Sequence, residues 1–454
     1  MMPPHQPPSS RLNQAPTVAH PPSPFAYDQR PALAQRLAST WGLRAKHIVQ
    51  RLVYAGLAGA GLLSGLRIGR TQPLRPGDPR IRRILVIRVD LIGDVVLSLP
   101  AIQALRQGYP NAAIDLLVLP ATAAVLEGAS DIARVLVYDP NIWRSPAALC
   151  APRNWRAVGR LVQTLRAARY DLCLSVAGDW ASVLAWISGA RRRVGYAGEA
   201  YPGLMTDPVP GRRYARREHE VEYVHRLARA AGGIVTEHNA LPALHIPDPT
   251  RHALLTKLAV LGVPRVESGG ALVVLHAGAQ NGSAKRWPAA SWAALADRLA
   301  AHDGIQVIFT GAATDRPLVA AIRDQMREAH VDLSGATTLA ELAALLALAD
   351  LVISGDSGPL HIACAVDTPV IGLYGPTDPL LSGPLGPHAL VLRHTMWCAP
   401  CYDASATAEC RFGNPVCMKS LSPLAVYQAA CRQLRRRAAA HATTPAFQGA
   451  QPAQ

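Results

Sequence analysis

Leu351-Val-Ile-Ser-Gly-Asp-Ser-Gly-Pro-Leu-His-Ile-Ala-Cys-Ala-Val-Asp-Thr-Pro-Val-Ile-Gly-Leu-Tyr-Gly-Pro-Thr-Asp-Pro379 is the stretch that decides the fold class of this chain. Its apolar run up to Ser354 predicts a strand, Gly355 a turn, and Asp356 and Ser357 the start of a helix. The free N–H groups and dipole of such a helix start favour an anion, and a diphosphate fits. A second apolar run, Pro369 to Leu373, follows at once and ends in another Gly-Pro turn. Two neighbouring strand ends therefore open onto one crevice, the usual ligand position in a parallel α/β sheet.

The same rhythm extends in both directions. Short apolar runs at Ile84–Arg88, Ile114–Leu119, Arg134–Tyr138, Leu172–Val176 and Arg193–Tyr196 alternate with helical stretches. After a Gly-, Pro- and Asp-bearing segment from about Gly232 to Arg251, a second alternation runs through Ala271–His276, Gln306–Thr310, Leu351–Ser354, Pro369–Leu373 and Ala389–Leu392. Alternation of this kind predicts parallel α/β architecture. Two similar halves joined by one linker imply a cleft between them, a favoured place for ligands. The predicted layout is a tail with an apolar and basic helical segment over 1–80, a first Rossmann-like domain over 81–240 that would face the acceptor, and a second over 250–425. A final helix, Pro423 to Arg437, would return to the first half, with a tail to residue 454.

Composition narrows the partners. The formal charge is +15, but residues 1–80 hold ten Lys/Arg against Asp28 and Asp78, so about half the excess sits in one segment. No basic run is interleaved with aromatic residues, as a single-strand binding surface requires, and nucleic acid is not the expected partner. The first 26 residues, rich in Pro, Gln and Ser, have the composition of a disordered tail. With no basic-then-apolar leader at the start, the expected location is cytoplasmic. The apolar run Leu52–Leu66 is shorter than the ~20 residues needed to span a bilayer. Arg36, Arg44, Lys46 and Arg51 precede it, so a helix on an anionic membrane face is expected, with packing on the protein body and a true span as the alternatives.

Arginine outnumbers lysine 42 to 4, which singles out Lys285 in the loop His276-Ala-Gly-Ala-Gln-Asn-Gly-Ser-Ala-Lys-Arg-Trp-Pro288. This loop leaves the first strand of the second half on the Asp356 side. A lysine there either neutralises phosphate charge as a leaving group departs or is a solvated surface residue. In the first half, Arg88-Val-Asp-Leu-Ile-Gly-Asp94 follows a strand with one glycine, and matches neither G-x-G-x-x-G nor a Walker A loop. Asp94 either accepts a proton from a substrate hydroxyl or stabilises its own helix start. Asp356 has the same N-cap alternative. His361 either faces the ligand or is a core histidine, and Asp315, after Thr310-Gly-Ala-Ala-Thr, either holds a ribose or base or caps a helix. Cys398, Cys401, Cys410 and Cys417 crowd into twenty positions, with C-x-x-C spacing in the first pair and six residues inside the second. Four sulfurs can hold a structural zinc, although the second spacing is wide for one; reduced thiols and a local disulfide are the alternatives.

Taken together, Arg88-Val-Asp-Leu-Ile-Gly-Asp94, Lys285-Arg-Trp-Pro288, Gly355-Asp-Ser-Gly-Pro-Leu-His361 and Tyr374-Gly-Pro-Thr-Asp378 resemble glycosyltransferase family 9, the ADP-heptose:lipopolysaccharide heptosyltransferases, over about residues 82–435. The resemblance implies a GT-B fold and an inverting transfer that requires no catalytic metal or other cofactor, from a nucleotide-sugar donor to a lipid A/core-type glycan on the cytoplasmic side. It implies that Asp94 is the general base and that Lys285 stabilises the departing diphosphate. Ser357 and Gly358 would offer backbone N–H groups to the phosphates, Asp356 would bind sugar hydroxyls, and His361 would line the donor pocket. The cysteine-rich segment looks like one that many members carry at this place. Ala277 stands where a proline is common, Asp315 where some members have glutamate, and residues 1–80 have no counterpart. The competing functions are a transferase of the same fold using another nucleotide sugar, a sugar-nucleotide epimerase, and a non-catalytic membrane-associated binding module.

Overall fold

The computed structural model describes residues 74–443, apart from 141–150, 178–179, 200, 214–216, 262, 264–269, 281, 303, 329 and 403–408. The Leu52–Leu66 segment, nearly all of the predicted 1–80 region and the end of the C-terminal tail lie outside the described residues. Among the described residues, no helix is long and apolar enough to cross a membrane.

Each half holds one six-stranded sheet in which every pairing is parallel. The first contains β1 (Arg83–Arg88), β2 (Ala113–Val118), β3 (Arg134–Val137), β4 (Leu172–Ala177), β5 (Arg192–Tyr196) and β6 (Asp207–Val209), in the order β3-β2-β1-β4-β5-β6. The second contains β7 (Ala271–His276), β8 (Ile305–Thr310), β9 (Val331–Asp332), β10 (Leu351–Gly355), β11 (Val370–Tyr374) and β12 (Ala389–Arg393), in the order β12-β11-β10-β7-β8-β9. Central strands such as β4 and β10 are buried at every position, because helices cover both faces of a parallel sheet. That is why they read as unbroken apolar runs. The edge strands β6 and β9 were not foreseen: one is three residues with a proline, the other two residues.

The strand order places the chemistry. In each sheet the first strand lies where the winding reverses, at β1/β4 and at β7/β10, and ligands bind beyond the carboxyl ends of strands at such points. From β1 the chain enters α1 (Ile92–Val96) and α2 (Leu99–Gly108). The first half closes with α3 (Glu220–Ala231), ended by Gly232 at φ 102°, where a Cβ would stand 2.4 Å from the Tyr109 hydroxyl. The connecting segment then leads to α4 (Asp248–Val260), and its Leu244 N–H donates to the Ala365 carbonyl of the second half at 2.7 Å.

The second half adds α5 (Ala289–Ala300), α6 (Leu339–Leu348), α7 (Gly358–Ala365) and α8 (Pro423–Thr443). Thr338 and Glu341 cap α6 reciprocally, each accepting the other's backbone N–H, the T-x-x-E capping box. One apolar cluster runs through both halves, joining Leu99, Val125 and Leu126 to Leu342, Leu345 and Leu346. The expectation that the last helix returns to the first half is corrected. α8 buries Val426, Ala429 and Ala430 in the second half's core with Trp287, Trp292 and Leu351, and Arg437 reaches Asp350 at 3.6 Å. Residues 426, 429 and 430 form one apolar helical face, and the second sheet supplies the surface that covers it.

Candidate active site

The carboxyl end of β1 delivers a cluster of charges. Arg88, the last strand residue, is fully buried, and its Nη2 lies 2.7 Å from Glu220 Oε1, 3.2 Å from Asp94 Oδ1 and 3.7 Å from Asp90 Oδ2. Arg213 joins from the loop before α3. It pairs with Asp90, donates from Nη2 to Asp94 Oδ1 at 2.6 Å, and brings Nε within 3.4 Å of Glu220 Oε2. Glu199 holds that loop by accepting the Arg213 backbone N–H at 2.7 Å. The environment separates the two aspartates. Burial works against ionisation of Asp90, but Arg88 and Arg213 outweigh it, with the Leu91 N–H, and hold it at about 2. At Asp94, burial and then the Asp90 charge outweigh Arg213 and Arg88, and Asp94 is pushed up to about 7. A carboxylate poised there takes a proton near neutral pH.

The carboxyl ends of β7 and β10 deliver the second group. Lys285 Nζ lies 3.0 Å from Asp356 Oδ2 and 4.8 Å from the centre of the Tyr402 ring. Tyr374 OH donates to the Ser382 carbonyl at 2.9 Å and stands 3.4 Å from Asp356 Oδ1. Lys285 is therefore a held cation, not a solvated one. Ser357, not Asp356, is the N-cap of α7; its Oγ pairs with Ser354 Oγ at 2.8 Å, and no side chain caps the helix. The N–H groups of the first turn remain available to an anion.

The two groups meet at a glycine seam. A Cβ on Gly93 would stand 2.8 Å from His361 Cδ2 and 3.6 Å from Gly358 Cα, and a Cβ on Gly358 would stand 3.0 Å from Ile92 Cβ. α1, which carries Asp94, thus lies directly against the start of α7. His361 belongs to this seam: it is 4% exposed, its Nδ1 has no partner among the described residues, and burial pushes it down to about 4, so the ring is neutral. Asp315 stands at the N-cap position of the helix after it but its side chain accepts none of that helix's N–H groups; its Oδ2 instead accepts the Ala312 N–H at 2.9 Å, closing the short turn before it. Its carboxyl packs against Gly278 in the loop leaving β7, where a Cβ would stand 2.5 Å from Oδ2, so it borders the Lys285 loop.

The cysteine segment supports that loop. Cys398, Cys401, Cys410 and Cys417 are free thiols lining a cavity of about 350 Å³ with Trp397 and Phe412. Among the described residues, no group of three or more His, Cys, Asp or Glu is placed to hold a metal ion. The same segment supplies Tyr402, beside Lys285, and Glu409, which accepts the Ser283 backbone N–H at 3.3 Å and pairs with its hydroxyl. Trp287 packs in the core of the second half, 2% exposed and edge-on to Trp292 at 5.0 Å.

Arg88, Asp90, Arg213, Glu220 and Tyr402 are the site residues that sequence reasoning missed, Arg88 lying in the same quoted motif as Asp94. Asp90 lay inside a quoted motif, and Glu220 left a signal as an acid at the start of a helix whose Val221, Val224, Leu227 and Ala228 are buried. One arginine among 42 gives none.

Two parallel-sheet halves with a carboxylate on one side of the seam and a held lysine and uncapped helix on the other define the GT-B class of sugar-transferring enzyme. Comparison with known proteins agrees. The profile of glycosyltransferase family 9 (heptosyltransferase) matches residues 158–411, and the chain belongs to that family. Lipopolysaccharide heptosyltransferase 2 of Salmonella typhimurium is 27% identical over 325 residues, covering 68% of this chain and 88% of that one. Lipopolysaccharide heptosyltransferase 1 of Pseudomonas aeruginosa is 27% identical over 362 residues, covering 75% and 95%. Among solved structures, a family 9 glycosyltransferase of Veillonella parvula superposes with a TM-score of 0.65 at 24% identity, over 78% of this chain and 97% of that one. The ADP-heptose lipopolysaccharide heptosyltransferase II of E. coli superposes with a TM-score of 0.62 at 23% identity, over 78% and 99%; these likenesses establish the fold.

Proposed function

We propose that this enzyme transfers heptose from ADP-heptose to a hydroxyl of a lipopolysaccharide-core acceptor, with inversion at the anomeric carbon. The observation that carries the mechanism is the seam at which Gly93, beside Asp94, meets His361 and Gly358. The donor class and acceptor class follow from the names of the relatives, lipopolysaccharide heptosyltransferases 1 and 2.

In this mechanism Asp94 takes the proton of the acceptor hydroxyl as its oxygen bonds to the anomeric carbon. The bond from that carbon to the diphosphate oxygen breaks, and its electron pair leaves with ADP. Negative charge grows on the diphosphate, where Lys285 and the N–H groups at Ser357 and Gly358 stand; because that charge is larger in the transition state, they lower the barrier. Asp356 orients Lys285 through its 3.0 Å contact, and its other oxygen, beside the Tyr374 hydroxyl at 3.4 Å, has a further lone pair for a sugar hydroxyl. His361 and Asp315 border the donor. No step is routed through the cysteine cavity.

The test is Asp94→Asn. Transfer is abolished while donor binding, followed by calorimetry, persists; retained transfer removes Asp94 from the role of base. At the membrane we propose that the basic and apolar sequence up to Leu66 holds the enzyme to anionic lipid. A chain lacking residues 1–70 is expected to lose cosedimentation with phosphatidylglycerol vesicles and to keep transfer to a soluble acceptor; undiminished cosedimentation contradicts this.

A further inference from the structure

Asp94 sits in a cluster of three carboxylates and two guanidiniums. Arg88 and Arg213 face Asp90, Asp94 and Glu220. One carboxylate charge is in excess, and its location decides whether the site holds a base. Glu220 is 0% exposed and touches both guanidiniums, Arg88 at 2.7 Å and Arg213 at 3.4 Å. Asp90 has the Leu91 N–H at 2.9 Å in addition to its arginines. Asp94 meets the same two guanidiniums, Arg88 at 3.2 Å and Arg213 at 2.6 Å, but shares both with Glu220 and Asp90, and its carboxyl has no backbone N–H among the described residues. The excess therefore falls on Asp94, the member of the cluster carried by α1 against the opposite half.

We propose that Glu220 is a positioning residue that, beside burial and the Asp90 charge, keeps Asp94 a proton acceptor, by drawing on both of the guanidiniums that would otherwise neutralise it more fully. This rests on the assignment of Asp94 as base. Glu220 touches neither donor nor acceptor; it acts through Arg88 and Arg213. A buried Arg88 with Glu220 replaced by a neutral group would turn its full charge to Asp94 and Asp90. The proton affinity of Asp94 would then fall, and with it its strength as a base. The other groups around Asp94 do not reverse this: His219 heads α3, accepts the Val221 N–H at Nδ1 and donates from Nε2 to the Gly383 carbonyl at 3.0 Å, Glu199 holds the Arg213 backbone, and across the seam His361 is neutral with Lys285 already paired to Asp356.

The experiment is the pH profile of kcat/KM for Glu220→Gln, which keeps the shape and one hydrogen-bond acceptor. The acid limb, which reports the free enzyme's base, is expected to move to lower pH by about one unit, with a lower plateau. Arg213→Gln removes a cation instead and is expected to move the limb upward. Opposite shifts from the two variants are what a merely structural role does not produce. An unmoved limb in folded Glu220→Gln, or shifts in the same direction, overturns the proposal. Should Glu220→Gln not fold, Glu220→Asp decides: it keeps the charge but falls short of the two guanidiniums, so the limb is expected to move to lower pH by less than about one unit, and an unmoved limb refutes the role. Asp94→Asn run alongside separates the two claims, since its retained activity would remove the base itself, whereas its inactivity with an unmoved Glu220→Gln limb removes only the part given to Glu220.

Discussion

Replacing Gly93 by alanine puts one methyl group into the seam between the halves. Gly93 is not among the residues with positive φ, so its backbone accepts alanine, and within α1 alanine is favoured over glycine by up to about 1 kcal/mol. Across the seam the new Cβ would stand 2.8 Å from His361 Cδ2, against an ordinary carbon–carbon contact of about 3.6 Å. His361 is 4% exposed, so its ring has little room to turn away. The halves must therefore part by about 0.8 Å at the place where α1, which carries Asp94, meets the start of α7, and a misplacement of about 1 Å in a catalytic site costs about 100-fold in rate. Gly93→Ala is expected to lower kcat for transfer about 100-fold, read by ADP release with saturating donor and acceptor, while Tm stays near the wild-type value. A double-mutant cycle with His361→Ala locates the cause: Gly93→Ala should cost far less when the ring is already gone. Wild-type kcat in Gly93→Ala, or strict additivity in the cycle, refutes the seam as the determinant of catalytic geometry.

Other outcomes follow from the same charges. Asp94 is raised towards 7 in the folded state against a usual carboxylate value near 4, so its contribution to stability is full below about 4 and drains as pH rises through about 7. Asp94→Asn is therefore expected to melt above wild type at pH 8, with the difference closing at pH 4; a lower Tm at pH 8 contradicts this. Asp90, held near 2, has the opposite sign: its contribution is present above about 4 and is lost as pH falls through 2. Lys285→Ala is expected to lower kcat by about 10²- to 10³-fold with donor KM little changed. Lys285→Arg recovers only part, because a flat fork does not fit a compact site between Asp356 and the Tyr402 ring; full recovery would show that charge alone matters there.

Where the chain folds by burying continuous apolar runs, its sequence was transparent: β1, β4, β7, β10 and β11 all lie within two residues of the predicted strands. Strand ends then located Asp94, Lys285 and Asp356, because ligands collect beyond the carboxyl edge of parallel strands. What stayed hidden depends on contacts distant in sequence. Arg213 reaches Asp94, and Glu220 reaches Arg88, from more than a hundred residues away, and Tyr402 reaches Lys285 from the cysteine segment. The path of the last helix was misjudged for a related reason, since an amphipathic pattern tells that a helix has an apolar face and not which surface covers it.

The central claim is that the site around Asp94 and Lys285 moves heptose to a core glycan. Its most direct measurement is incubation of the full chain with ADP-heptose and a heptose-deficient lipopolysaccharide-core acceptor, with ADP release and acceptor mass followed together. The wild-type chain is predicted to release one ADP for each heptose added to the acceptor, and Asp94→Asn to yield neither. ADP released with no gain in acceptor mass, or transfer only from another nucleotide sugar, contradicts the account.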